Sequence, residues 1–266
     1  MQLSYKSYLT NEGRQQSFND AAIIVSQAFP RRDSNIAQLY LMWEKCARYL
    51  QHVLYLKDCF REERKGNPTF TAPKTYCDLN NQCQRYLYPS PCLLVLKSDR
   101  YLLEINAYED LNDLIEVNRM ALESLPLIDQ AIGLQGSLTS HTGQLLIRLG
   151  NPAEGVKWLK KSYEIRSHDH PFNPRESAWA AENAGNGIAT LNDFPEAIVW
   201  LKRARDHWLE WSCKQEVGTG EWPACIKKSM GLAFAWAGEL HEARKISLSA
   251  LEQIESTQPY NWAMAA

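Results

Sequence analysis

The 266-residue chain lacks several features that would point early to a function. No apolar run approaches the roughly 20 residues that a membrane-spanning helix needs. The opening stretch, "MQLSYKSYLTNEGRQQ", carries no apolar core of a secretory signal. There is little surplus charge: the formal net charge is −2 and the pI is near 6.3, so bulk electrostatics offer nothing to nucleic acid or anionic lipid. The seven cysteines (Cys46, Cys59, Cys77, Cys83, Cys92, Cys213, Cys225) form no C-x-x-C pair and no zinc-ligand spacing. Reduced thiols in a cytoplasmic protein are the expectation. No G-x-x-x-x-G-K-[ST] phosphate loop occurs in these residues. Alternation of apolar and polar residues, the mark of a half-buried strand, is almost absent.

What the sequence does carry is helical periodicity. Between Ile36 and Phe60, apolar residues fall at Leu39, Trp43, Cys46, Leu50, Val53, Leu54 and Phe60. That three-and-four spacing predicts one long amphipathic helix. A shorter helix is predicted over Phe18–Ala28, stopped before Pro30. Residues 65–91, "KGNPTFTAPKTYCDLNNQCQRYLYPSP", hold four prolines and clustered Asn and Thr, and read as a long irregular connection. Phe70 and the tyrosines there are expected to anchor it to a surface.

Three stretches of the C-terminal half align in one register: "TSHTGQLLIRLGNPAEGVKWLKKS" (139–162), "AENAGNGIATLNDFPEAIVWLKRA" (181–204) and "KKSMGLAFAWAGELHEARKISLSA" (227–250). Gly143, Gly185 and Gly231 coincide. So do Leu146, Ile188 and Phe234, then Gly155, Ala197 and Ala243, and finally Ser162, Ala204 and Ala250. The units resemble the tetratricopeptide repeat, a helix-turn-helix with small residues where its two helices cross. A degenerate fourth copy is read over 98–121, with Leu102 in place of the glycine. The glycines step by 42 and 46 residues, longer than the basic unit of about 34. Extended loops, "RSHDHPFNPRES" and "SCKQEVGTGEWP", take up the difference. Gly185 and Gly187, each about 1 kcal/mol worse than alanine inside a helix, are therefore read as packing residues. A phosphate loop would need a strand before "GNG" and a lysine after it.

The expected fold is an all-α, tetratricopeptide-like right-handed solenoid with an N-terminal helical cap. Its expected divisions are an N-terminal helical segment (1–64), the irregular connection (65–92), the repeats (93–255) and a C-terminal tail (256–266). Tyr260 and Trp262 of the tail are expected to fold back over the last repeat, or that face to pair with a second chain.

Read with the N-terminal half, the chain has a wider likeness. "RQQSFNDAAIIVSQAFP", "MWEKCARYLQHVL" and "LLEINAYEDLNDLIEVNRMALESL" are similar to the C-terminal helical and repeat portion of fungal STAND-type NTPase proteins (NB-ARC–TPR). In those proteins such helices link the nucleotide-binding module to the repeats. Without a phosphate loop here, ATP-dependent switching is not carried over.

First helices of stacked repeats line a concave surface. With the glycine as the eighth position, the second, fifth, sixth, ninth, twelfth and thirteenth positions are expected to face it. These include Ser140, His141, Gln144 and Arg148 in the first repeat, and Trp179, Glu182, Asn183, Asn186 and Thr190 in the second. Cys225, Lys228 and Trp236 follow in the third, and Asp99 and Asn106 in the degenerate copy. The repeat resemblance implies that an asparagine placed like Asn183 bonds a peptide backbone while basic residues such as Arg148 and Lys228 hold carboxylates. A carboxamide suits that task because it both donates and accepts. Asn183 and Asn186 could equally bond within the array or to water.

Two function classes follow. One is a scaffold whose groove holds a peptide or partner protein through Arg148, Trp179, Asn183, Asn186, Lys228 and Trp236. The other is a small-molecule cyclase or isomerase of fungal specialised metabolism, binding a small hydrophobic molecule in an aromatic-lined groove. There His141 and Glu182 would relay a proton as the catalytic pair, although a histidine there is more often a packing residue. Trp158 and Trp200, equivalent positions of second helices, are expected to pack between repeats. His168, Asp169 and His170 lack further ligands nearby, and no metal or cofactor is expected. No nucleic-acid or membrane partner is expected either, whereas a homodimer is.

Overall fold

The computed structural model describes residues 9–31, 42–87, 101–126, 132–214 and 221–257. Its regular elements are helices throughout, and the chain is all-α. They are α1 (Asn11–Ala28), α2 (Trp43–Gly66), α3 (Lys74–Leu87), α4 (Tyr101–Glu123), α5 (Ile132–Arg148), α6 (Pro152–Ser167), α7 (Pro174–Ala189), α8 (Phe194–Cys213), α9 (Ala224–Trp236) and α10 (Leu240–Thr257). The helices up to Glu123 make one compact unit and those from Gln135 onward make another. The tail residues Tyr260 and Trp262, like Asp99 and Cys92, lie outside the described residues, as does the side chain of Asn106.

The first unit is held by rings. Phe18 of α1 lies 5.1 Å from Tyr76 and 5.4 Å from Phe70, and Phe60 of α2 lies 5.6 Å from Tyr76. All four rings are buried, and edge-to-face and tilted pairs at such distances add to the burial itself. α1 begins seven residues before the expected Phe18 because the Thr10 hydroxyl accepts from the Gly13 amide and satisfies an otherwise orphan donor. α2 likewise runs past Phe60 to Gly66.

The connection expected over 65–92 is not irregular throughout: Lys74–Leu87 is helix. Pro68 and Pro73 sit before its first turn, where they do no damage, and the Tyr76 amide bonds the Pro73 carbonyl at 2.9 Å. The helical period is hidden in the sequence because amides share the buried stripe: Tyr76, Asn80, Cys83 and Gln84 are all inaccessible. Phe70 does anchor the segment, and its carbonyl accepts from Arg64 at 2.6 Å. Thr71 pairs with Gln15 through two bonds, at 2.8 and 3.0 Å.

The degenerate fourth copy is also corrected. α4 is one unbroken 23-residue helix where a helix-turn-helix would need a break. Its "AYEDLND" has no Gly or Pro to leave the helical path, unlike "LGNP" or "LNDFP". α4 instead buries Leu111, Leu114, Ile115, Val117 and Ala121 in the first unit. Its Asp113 bonds Lys57 and Arg61 of α2.

The second unit carries three helix pairs, α5–α6, α7–α8 and α9–α10, in the register read from the sequence. A β-carbon built on Gly143 would stand 2.7 Å from the Gly155 carbonyl oxygen and 2.8 Å from Leu159 Cγ. On Gly185 it would stand 2.8 Å from Leu201 Cγ and 3.2 Å from the Ala197 carbonyl oxygen. On Gly231 it would strike the Ser247 hydroxyl. Each glycine thus meets the same two positions of its partner helix. Gly187 faces the other way: its β-carbon would lie 2.7 Å from Leu159 and 3.2 Å from Ile147 of the preceding pair. Both glycines of "GNG" are close-approach residues, one within a repeat and one between repeats.

The turns repeat as well. Gly150, Asn192 and Gly238, one per pair, all have positive φ (83°, 62° and 83°), the left-handed step that ends a helix with a Gly or Asn. The next helix is then capped by Asn151, Asp193 or, before α7, Asn173, each accepting from the amide of Glu154, Glu196 or Glu176, with a proline in the first turn.

Candidate functional site

The first helices α5, α7 and α9 bring the expected groove residues into three equivalent rows, and those rows differ in what is left for a ligand. Residues at the fifth and sixth positions bond one another across repeats. Asn183 Nδ2 donates to Ser140 Oγ at 3.1 Å. The Ser229 hydroxyl donates to Glu182 Oε1 at 3.4 Å. In both cases the sixth position of one repeat reaches the fifth position of the repeat before it. The result is a polar ladder along the array, in which buried polar groups find partners.

This ladder changes how the proposed pair and Asn183 are to be read. His141 and Glu182 are both buried, at 7% exposure, and Glu182 already accepts a hydroxyl. Asn183 is half-buried and spends one amide hydrogen on Ser140, so part of its capacity serves inter-repeat packing.

One turn further along each helix, the ninth and thirteenth positions look outward. Gln144 and Arg148 of α5 are partly exposed, Asn186 of α7 and Thr190 just beyond it are exposed, and so are Leu232 and Trp236 of α9. Trp236, the last residue of α9, is 72% exposed, yet its ring stacks on Phe194 of the preceding pair at 6.2 Å and 16°. It therefore stands at the turn edge of the array. The row runs from polar and cationic at Arg148 to apolar at Leu232 and Trp236.

Trp179 heads a cluster that periodicity in first helices did not disclose. It meets Trp208 edge-on at 5.3 Å, Trp208 meets Trp211 at 4.9 Å, and the Arg175 guanidinium lies 5.1 Å over Trp211. The indole N–H of Trp208 donates to the Glu221 carbonyl at 3.2 Å. The available signal was the "HWLEW" run, whose two tryptophans, three apart, share one side of α8. Lys228 is half-buried, whereas its neighbour Lys227, not singled out, is buried and donates to Ser249 at 3.1 Å with its ammonium 5.8 Å from Trp222.

The second helices carry a further set. Trp200 does pack between repeats, edge-on to Tyr163 of α6 at 5.1 Å. Arg203 lies 4.4 Å over its ring. The Tyr163 hydroxyl and His207 Nε2 share a hydrogen bond of 2.9 Å. Burial pushes the His207 imidazolium below its ordinary range, with Glu210 opposing that shift and Arg203 adding to it. Trp158 is covered in part by Lys161 at 5.2 Å.

Arg166 is buried between α5, α6 and α7, bonding Ser137 at 2.9 Å and Glu176 at 3.4 Å. It fits only because Gly136 has no side chain: a β-carbon there would stand 2.8 Å from Arg166 Nε and 2.9 Å from its Cγ. His168 is exposed and bonds the Glu164 carbonyl at 2.7 Å. Among the described residues, no three His, Cys, Asp or Glu side chains converge to hold a metal ion. No helix of these residues is long and apolar enough to cross a membrane.

No family model matches the sequence, and no curated protein matches it. Among solved structures the chain is similar to the crystal structure of BtubC (BKLC) from P. vanneervenii, at 13% identity and a TM-score of 0.46, over 95% of this chain and 95% of that one. The likeness to STAND-type proteins rests on the quoted sequence motifs alone.

Proposed function

We propose that the protein is a non-catalytic repeat scaffold that binds a peptide or partner protein along the first helices of its second unit. One observation carries the reading. The fifth- and sixth-position side chains are bonded in pairs, Asn183 to Ser140 and Ser229 to Glu182, while Asn186, Leu232 and Trp236 are exposed and Arg148 partly exposed in register on the first helices of three successive pairs. A row fixed from below by a bonded ladder is preorganised, which lowers the ordering a ligand must impose. Trp179 and Lys228 stand on the same first helices, and the carboxamide of Asn183, which donates to Ser140, can accept a ligand amide with its oxygen. Within this reading, the chain corresponds to the linking helices and repeats of a fungal STAND-type protein.

The test is selection of displayed random peptides on the wild-type chain, followed by binding to variants. Trp236→Ala and Asn186→Ala should each weaken the selected peptides by about 1–3 kcal/mol, with helical content unchanged by circular dichroism. Peptides that bind both variants as they bind the wild type would place the binding surface elsewhere.

A further inference from the structure

The last helix is amphipathic on one side and patterned on the other. Ala243, Ile246 and Ala250 of α10 face inward, where Ala243 and Ile246 join the core that Met230 and Phe234 of α9 also build. On the opposite side, Leu248 and Leu251 are 47% and 38% exposed. His241, Arg244, Glu252 and Glu255 are exposed along the same stripe. The spacing 241, 244, 248, 251/252, 255 is the alternating three-and-four step of a helix that packs against another helix. Charge is segregated along it, with Arg244 in the N-terminal half and the carboxylates Glu252 and Glu255 in the C-terminal half.

That arrangement is self-complementary under a twofold axis. When two copies of α10 run antiparallel with the axis at Leu248, Leu248 meets its own copy, Arg244 meets Glu252 and His241 meets Glu255, each pair twice. In a closed two-copy interface, any residue i that faces j has its pair repeated as j facing i. The parallel arrangement would set like charges against like and is disfavoured. We infer that the outer face of α10 is the interface for a second copy of this chain, paired antiparallel about Leu248. A single helix-on-helix contact sits at the small end of specific interfaces, so the dimer is weak and concentration-dependent.

Sedimentation equilibrium of the full chain over a concentration series tests this. The wild type should show a monomer–dimer equilibrium. Glu252→Arg, which sets Arg against Arg244 twice, should weaken it roughly tenfold or more, and Leu248→Glu should abolish it. The decisive variant is Arg244→Glu with Glu252→Arg, which exchanges the partners and should restore the dimer. All three residues concerned, Arg244, Leu248 and Glu252, are on the surface, so far-UV circular dichroism should not change. A chain that is monomeric at every concentration, a dimer indifferent to Leu248→Glu, or a charge exchange that fails to restore association would each overturn the proposal.

Discussion

The two units solve the same problem, packing helices, with opposite materials. The first fills its centre with large rings, Phe18, Phe60, Phe70 and Tyr76, gathered from three helices and a loop. The second removes side chains where its helices cross, so that Gly143, Gly185 and Gly231 bring backbone close to the partner helix. Ring packing tolerates irregular spacing, because each large side chain reaches several ångströms to its neighbours. Close approach does not, because a glycine works only opposite one point of the facing helix. The second unit is therefore periodic in sequence and the first is not.

The sharpest break should come from the rings. Phe60→Ala would open a cavity among three aromatic neighbours, Phe18, Phe70 and Tyr76, and should cost about 3–5 kcal/mol. Denaturant unfolding followed by hydrogen exchange should place the lost protection in α1 to α4. A loss under about 1 kcal/mol would mean that the rings are not what holds the first unit.

Next comes a graded series in the second unit. Adding a methyl at Gly143 strikes a backbone carbonyl at 2.7 Å, which cannot step aside. At Gly185 the first obstacle is the Leu201 side chain, with backbone at 3.2 Å. At Gly231 it is the end of Ser247, which can rotate away. Gly143→Ala should therefore destabilise most, by about 1–3 kcal/mol, Gly185→Ala less and Gly231→Ala least. Thermal melts in any other order would contradict the crossing geometry.

The smallest effect distinguishes the units by acidity. His207 in the second unit is held below its ordinary value of 6.5, chiefly by burial. The folded state therefore binds fewer protons than the unfolded chain, and the stability this contributes is lost as pH falls below about 6.5. Burial of Asp113 in the first unit raises its pKa, but the bonds from Arg61 and Lys57 outweigh that, and its carboxyl is held below 3.8. Its contribution survives until pH falls through that lower range. Between pH 7 and about 5, weakening should thus appear in α6 to α8 by hydrogen exchange, and His207→Gln should remove that part of it. Equal loss in both units, unchanged by the substitution, would contradict the assignment.

The repeat register was legible because close approach of helices leaves a mark in sequence. A β-carbon at 143, 155, 185 or 231 would press on the facing helix, where the sequence has Gly, small Ala stands at the matching 197 and 243, and only Gly or Asn takes positive φ cheaply at 150, 192 and 238. α3 was not legible, since Asn80 and Gln84 occupy buried positions that the apolar period would have marked. The supposed fourth copy failed for a related reason: α4 shares apolar spacing with the repeats but lacks their turn chemistry.

At the candidate site the sequence determined which residues stand on one face of α5, α7 and α9, because steps of three and four fix a helix face whatever surrounds it. It could not decide which of them would be consumed. Whether Asn183 bonds Ser140 or a ligand, and whether Trp236 lies in the groove or stacks on Phe194 at its edge, depends on side chains 42 to 43 residues away in the chain. Only the stacking of one repeat on the next sets those distances, and that stacking is a property of the packed unit, not of any single helix.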